Sequence, residues 1–189
     1  MTTSKGFELP KELPIPVDDG ACAHLQGMSM PDVNLQSTRG RPVNIGEVSS
    51  NKTVFFFYPM TGKPGVPLPK DWDLIPGARG CTPESCSYRD HYKGFRDLGF
   101  EVFGISSQSN EDQKEFSQRS NIPYEILSDC KLELAGALRL PTFTVEEVKM
   151  PLIRRLTLVT RRKKIEKVFY PVFPPDKNAD QVLEYLRAS

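Results

Sequence analysis

Gly80-Cys81-Thr82-Pro83-Glu84-Ser85-Cys86-Ser87-Tyr88-Arg89-Asp90 is the stretch on which the fold turns. Upstream, Thr53-Val54-Phe55-Phe56-Phe57-Tyr58 is the strongest strand signal in the chain, a β-branched and aromatic run that stops at Pro59. Downstream, Tyr88, Tyr92, Phe95 and Leu98 recur at helical spacing and end at Gly99. Pro83 suits the first helical position, where its missing N–H costs nothing. The two cysteines therefore stand where an extended segment feeds a helix. A thiol there meets unpaired N–H groups and the positive end of the helix dipole, which favour the reactive thiolate.

Outward from this stretch, strands alternate with helices. Residues 1–25, with Pro10, Pro14, Pro16 and an Asp18-Asp19-Gly20 turn, read as an extended arm ahead of a domain over 26–189. Val33–Leu35 and Val43–Ile45 predict an N-terminal β-hairpin across a turn-rich linker. Phe100–Ile105 and Tyr124–Leu127 are strands, Asn110–Arg119 and Leu132–Leu138 helices, and Leu152–Val159 with Ile165–Phe169 a second hairpin. A last helix carries the apolar stripe Ala179, Val182, Leu183 and Leu186. The pattern predicts an α/β fold with a central mixed sheet flanked by helices.

The 189 residues suffice for one well-buried core, and 38% hydrophobic with 26% charged residues describes a globular chain. Twenty-five basic against 24 acidic side chains leave a net charge of +1, no electrostatic case for nucleic acid or an anionic membrane. Arg161-Arg162-Lys163-Lys164 reads as a solvated hairpin turn. No segment has the length of a membrane span, and the polar, proline-rich start lacks the pattern of a secretory signal. The expectation is a cytoplasmic protein with reduced thiols, where a close cysteine pair is catalytic more often than structural. Four cysteines are too few for a disulfide scaffold, and His24 and His91 have no ligand-like spacing, so no metal is expected.

On a regular helix, five residues separate two Cα atoms by roughly 8.6 Å. A disulfide needs them within about 7 Å. Cys81 and Cys86 cannot bond while the first turns stay helical; pairing requires local unwinding, which suits a redox cycle better than static stability. On spacing alone, the pair reads equally well as an apolar filler at Cys86 and an incidental thiol at Cys81.

Tyr58-Pro59 after an apolar strand, followed by Gly80 to Asp90, resembles the active-site stretch of the peroxiredoxins, and most of all the Q-type branch, the bacterioferritin comigratory proteins. Arg155-Leu156-Thr157-Leu158-Val159 and Lys164–Phe169 are similar to the segment bearing that family's active-site arginine. The resemblance covers about residues 28 to 187. It implies a thioredoxin-like fold and a thiol peroxidase that reduces hydrogen peroxide or organic hydroperoxides, with no cofactor. Cys81 would be the peroxidatic cysteine, oxidised to a sulfenic acid, and Cys86 the resolving cysteine that forms a Cys81–Cys86 disulfide. A thioredoxin- or glutaredoxin-like reductant would recycle it, with the protein a monomer or homodimer. Arg155 would stabilise the thiolate and hold the peroxide, with Arg154 its adjacent competitor on a strand. Pro59 matches the shielding proline. Glu84 matches a position that can bond the arginine, though an exposed first-turn carboxylate fits the residue as well. Arg89 reads as a salt-bridging helix residue.

Two departures from the family pattern stand out. Ala78 occupies the position of the family's Thr or Ser, three residues before the reactive cysteine. Met60 to Gly80 spans 21 residues where the Q-type pattern has a short connection, so Lys63–Arg79, with the single tryptophan Trp72, is an insertion beside the active site. Thr61 is one candidate to supply the missing hydroxyl; a backbone donor is the other. A weakened peroxidase would leave a thioredoxin-fold redox-sensing or binding module as the alternative function. Cys130, opening a predicted helix, reads as a buried structural thiol, and Cys22 falls in the arm.

Overall fold

All five residues of Thr53–Phe57 are buried, so this run is covered on both faces. The computed structural model describes residues 8–189. In chain order the strands are β1 (Asn34–Ser37), β2 (Pro42–Asn44), β3 (Thr53–Phe57), β4 (Glu101–Ser106), β5 (Glu125–Ser128), β6 (Thr142–Val145), β7 (Val148–Ile153), β8 (Leu156–Arg161) and β9 (Lys164–Phe169). The helices are α1 (Ile45–Val48), α2 (Cys81–Asp90), α3 (Tyr92–Asp97), α4 (Asn110–Arg119), α5 (Glu133–Leu138) and α6 (Asn178–Ala188). Single 3₁₀ turns lie at Trp72–Leu74 and Pro175–Lys177.

Seven strands form one mixed sheet in the order β2-β1-β5-β4-β3-β8-β9, with β3, β4 and β5 parallel and the outer pairings antiparallel. The period-2 alternation of β3 explains the two cores. Val54, Phe56 and Tyr58 pack with Cys81, Tyr88, Phe95, Phe116, Val182 and Leu183 under α2, α3, α4 and α6. Phe55 and Phe57 pack with Leu25, Ile45, Leu134 and Leu138 under α1 and α5. Gly104, beside Phe56 on β4, has no room for a side chain: a Cβ there would lie 2.9 Å from the Phe56 ring. This is the central mixed sheet between helices that the alternation predicted.

Several boundaries differ from the sequence reading. Ile45 starts α1 rather than ending the first hairpin, because Asn44 caps that helix by accepting the Glu47 N–H. The helical stripe from Tyr88 to Leu98 divides at His91, whose backbone N–H turns to Ser87 and Arg89. Pro83 is the third residue of α2, still within the turn whose N–H groups have no helical partner. Leu152–Val159 is not one strand: Leu152 and Ile153 end β7, the chain breaks at Arg154-Arg155, and β8 starts at Leu156. β7 pairs with β6 in a separate two-stranded sheet that the short alternation of Thr142–Val145 did not announce. The β8–β9 turn at Arg162-Lys163 has both residues at positive φ, as tight two-residue hairpins require.

The insertion is ordered by this second sheet. Trp72, Ala78 and Leu152 form a third small core with Leu68, Ile75, Phe143, Val145, Val148 and Met150 packed against it. The Trp72 and Phe143 rings lie 6.1 Å apart, and the Lys70 N–H donates to Glu147 Oε1 at 3.1 Å. In the arm, Leu9 lies against Gly80 and Pro16 against Gly77. Cys22 and Leu25 are already core residues, so packing begins before position 26. Residues 1–7 of the expected arm lie outside the described residues.

Candidate active site

The parallel strands β3 and β4 end side by side, and the chain leaving β3 passes directly over the start of α2. In open parallel sheets, functional groups gather at such carboxyl ends. Gly80 makes the entry into α2 possible: its φ of +107° is a left-handed conformation, and a Cβ there would meet Pro175 at 2.4 Å and Leu9 at 3.0 Å. Cys81 is the first residue of the helix, with 3% of its surface exposed. Its Sγ accepts from the Met60 N–H at 3.5 Å, receives Arg155 Nη2 at 3.2 Å, and donates as a thiol to the Ala78 carbonyl at 3.5 Å.

Arg155 reaches this point because the β7–β8 break turns it inward, where it is 3% exposed. Arg154 turns outward and lies over the Phe143 ring at 5.5 Å. The expected opposition of the two arginines therefore holds, although both stand between strands rather than on one. The Arg155 guanidinium satisfies five acceptors. Nε donates to Gly77 O at 3.3 Å, Nη1 to Glu84 Oε2, and Nη2 to the Ala78 and Arg79 carbonyls at 3.1 and 3.3 Å as well as to Cys81. It fastens the end of the insertion to the thiol.

Glu84 is fully buried, not an exposed first-turn carboxylate, and its second oxygen, Oε1, has no partner among the described residues. Burial pushes its carboxyl up to about 7 against the opposing pull of Arg155. Burial is also the largest influence on Cys81 and raises its thiol; Arg155 and the Met60 N–H oppose it, and Glu84 reinforces it. The helix terminus alone does not ionise this thiol, as the sequence suggested. Arg155 is the compensating charge, and two acids compete for that one cation.

Pro59 is buried next to Met60, whose N–H faces Sγ. Thr61 does not supply the hydroxyl missing at Ala78. Its Oγ1 and N–H both bond Gln108 Oε1, at 3.2 and 2.9 Å, and Gln108 Nε2 returns to the Thr61 carbonyl at 3.2 Å. Gln108, buried just past β4, is a residue the sequence reading missed; the polar run Ser106-Ser107-Gln108 at the end of an apolar strand was the available signal. A second missed group is the buried trio beneath α2, in which Tyr88 Oη and Thr157 Oγ1 both donate to Asn178 Oδ1, at 2.6 and 2.7 Å.

Cys86 is half-buried on α2, which is helical from Cys81 to Asp90, so the two cysteines are unpaired. Arg89 bonds Asp90 at 2.9 Å and the Ser120 carbonyl at 2.8 Å. Cys130 is exposed rather than a buried structural thiol, because α5 starts three residues later, at Glu133. Cys22 is buried, and its thiol is pushed up to about 12 by burial and by Asp19 and Asp18. Among the described residues no group of three or more His, Cys, Asp or Glu side chains is placed to hold a metal ion.

Comparison with known proteins places the chain as a whole. The Redoxin family model matches residues 25–183. Peroxiredoxin Q of the chloroplast of Sedum lineare is 28% identical over 163 residues, covering 86% of this chain and 78% of that protein. Peroxiredoxin bcp1 of Schizosaccharomyces pombe is 30% identical over 142 residues, 71% of this chain and 65% of that one. Among solved structures, peroxidoxin BcpB of Mycobacterium tuberculosis superposes with a TM-score of 0.69 at 28% identity, covering 87% of this chain and 98% of that one. A PrxQ mutant of Xylella fastidiosa, at 19% identity and a TM-score of 0.70, shares the fold.

Proposed function

This chain belongs to the Redoxin family, and from that membership we propose that it is a thiol peroxidase of the peroxiredoxin Q kind working through Cys81. The observation that carries the reading is the buried Arg155 guanidinium 3.2 Å from Sγ of the buried Cys81. In the first step the thiolate attacks one peroxide oxygen. The S–O bond forms as the O–O bond breaks, the sulfur is oxidised to sulfenic acid, and the departing oxygen takes a proton to leave as water or alcohol. Arg155 and the Met60 N–H stand where negative charge moves from sulfur to the leaving oxygen.

Cys86 then attacks the sulfenic sulfur, releasing water and forming the Cys81–Cys86 disulfide. This step requires the first turns of α2 to open, since helical spacing holds the Cα atoms too far apart. A thioredoxin- or glutaredoxin-like dithiol restores the pair in the cytosol or a similarly reducing compartment; the plant relatives are chloroplastic. Peroxide consumption by the purified protein with a dithiol reductant tests the assignment. Cys81→Ser abolishes it, and a serine variant as active as wild type overturns it.

One observation favours a redox sensor instead: among the described residues the sulfur has no hydroxyl donor, since Ala78 offers only its carbonyl and Thr61 is turned to Gln108. Stopped-flow oxidation separates the two. A second-order rate far above that of a free thiol belongs to the enzyme, and a comparable rate to the sensor.

A further inference from the structure

Cys81 lies at the base of an open cleft of about 390 Å³ that the insertion builds. Met60, Pro64, Val66, Leu68 and Trp72 line it together with Leu9 of the arm. Such a volume is within the range of small-molecule sites, roughly 300–1,000 Å³, and far beyond what a two-oxygen molecule occupies, given about 30 Å³ for a water. The rim cations Lys63, Arg79 and Arg119 are each paired with a carboxylate, Asp112, Asp73 and Glu115, and Glu8 stands beside them. Charge therefore gives an anionic ligand little purchase, and recognition falls to shape and apolar contact.

We infer that the insertion is a specificity wall: Leu68, packed on the Trp72 core, and the exposed Val66 beside it in the cleft lining select hydroperoxides whose organic group is bulky, uncharged and apolar over hydrogen peroxide. The inference rests on the peroxidase reading and names the substrate class of the same site. In-line attack by Sγ on the terminal oxygen leaves that oxygen on sulfur and expels the organic alkoxide, which takes a proton and departs as the alcohol. The leaving group lies on the far side of the attacked oxygen from Sγ, and the open space that Cys81 lines is this cleft. Leu68 sits over the chain just past Met60, 3.5 Å from where a Cβ on Gly62 would lie, so a larger side chain there narrows the passage to the sulfur. The wall is fixed rather than floppy because Trp72 is buried against Phe143 and Lys70 is tied to Glu147.

The test compares kcat/KM for cumene hydroperoxide and for hydrogen peroxide in the full chain with dithiothreitol as reductant. Wild type favours cumene hydroperoxide, and Leu68→Trp lowers the cumene-to-hydrogen-peroxide ratio at least tenfold. Val66→Trp, at a position 59% exposed and so harmless to folding, lowers the ratio in the same direction. A ratio that stays within twofold of wild type in both variants overturns the inference and leaves the peroxidase reading standing, as do rates for the two peroxides that fall by one common factor. A wild-type protein that consumes neither peroxide overturns the peroxidase reading and takes this one with it.

Discussion

Arg155 brings a permanent positive charge into a buried site, and Cys81 and Glu84 are the only acids it touches among the described residues. Replacing it with Met removes the charge opposing burial of the Cys81 thiol. The thiol titration, followed by thiolate absorbance, then moves upward, and kcat/KM for hydrogen peroxide falls by about 10²–10³ on the scale of losing one donor to a developing charge. An Arg155→Met enzyme within threefold of wild type contradicts the role. Glu84 gives a prediction of opposite kind. The unfolded carboxyl loses its proton near 4.5 and the folded one near 7, so between these values the native state keeps a proton that the unfolded chain has released. Raising the pH through this window therefore subtracts stability, on the order of 3 kcal/mol in full. Glu84→Gln, which keeps the acceptor for Arg155 and removes the charge, flattens that slope in denaturant unfolding from pH 4 to 8 and shifts the Cys81 titration downward. An unchanged slope sinks the assignment of the window to Glu84.

At the scale of elements, the proposed cycle requires α2 to be held well enough to position Cys81 yet to release its first turns for Cys86. Its entry depends on Gly80, pressed between Pro175 and Leu9 at positive φ. Gly80→Ala costs about 1–3 kcal/mol of stability, and it raises hydrogen exchange at the start of α2 more than in the sheet. Uniform exchange changes contradict that localisation. The far end stays fixed through the Tyr88–Asn178–Thr157 bonds, so opening is confined to the first turns. The elements also show what the sequence could reveal. β3, the start of α2 and the stripe of α6 were legible because periodicity and breakers act locally. So was the β8–β9 hairpin, whose basic turn is solvated. The β6–β7 hairpin was not, because its burial comes from Trp72, some 70 residues earlier in the chain, rather than from its own alternation. Cys81 and Cys86 were visible as a spaced pair. The turning of Thr61 to Gln108 and the burial of Glu84 were not, since both depend on where the ends of β3 and β4 meet.

At the scale of the whole molecule, one sheet with two cores carries a third, smaller core that exists only because the insertion and the β6–β7 sheet meet. Trp72→Ala should loosen this unit selectively: exchange over residues 63–79 and 142–153 rises together, while β3 and β4 keep their protection. Loss of protection throughout the main sheet contradicts the division. The proposed function rests on one event at one sulfur, and peptide mapping after rapid quench observes that event directly. One equivalent of hydrogen peroxide, followed by alkylation of free thiols, is predicted to leave a Cys81–Cys86 link in wild type. In Cys86→Ser the same treatment leaves a dimedone-reactive sulfenic acid on Cys81. An alkylated, unoxidised Cys81, or oxidation found first at Cys22 or Cys130, contradicts the account.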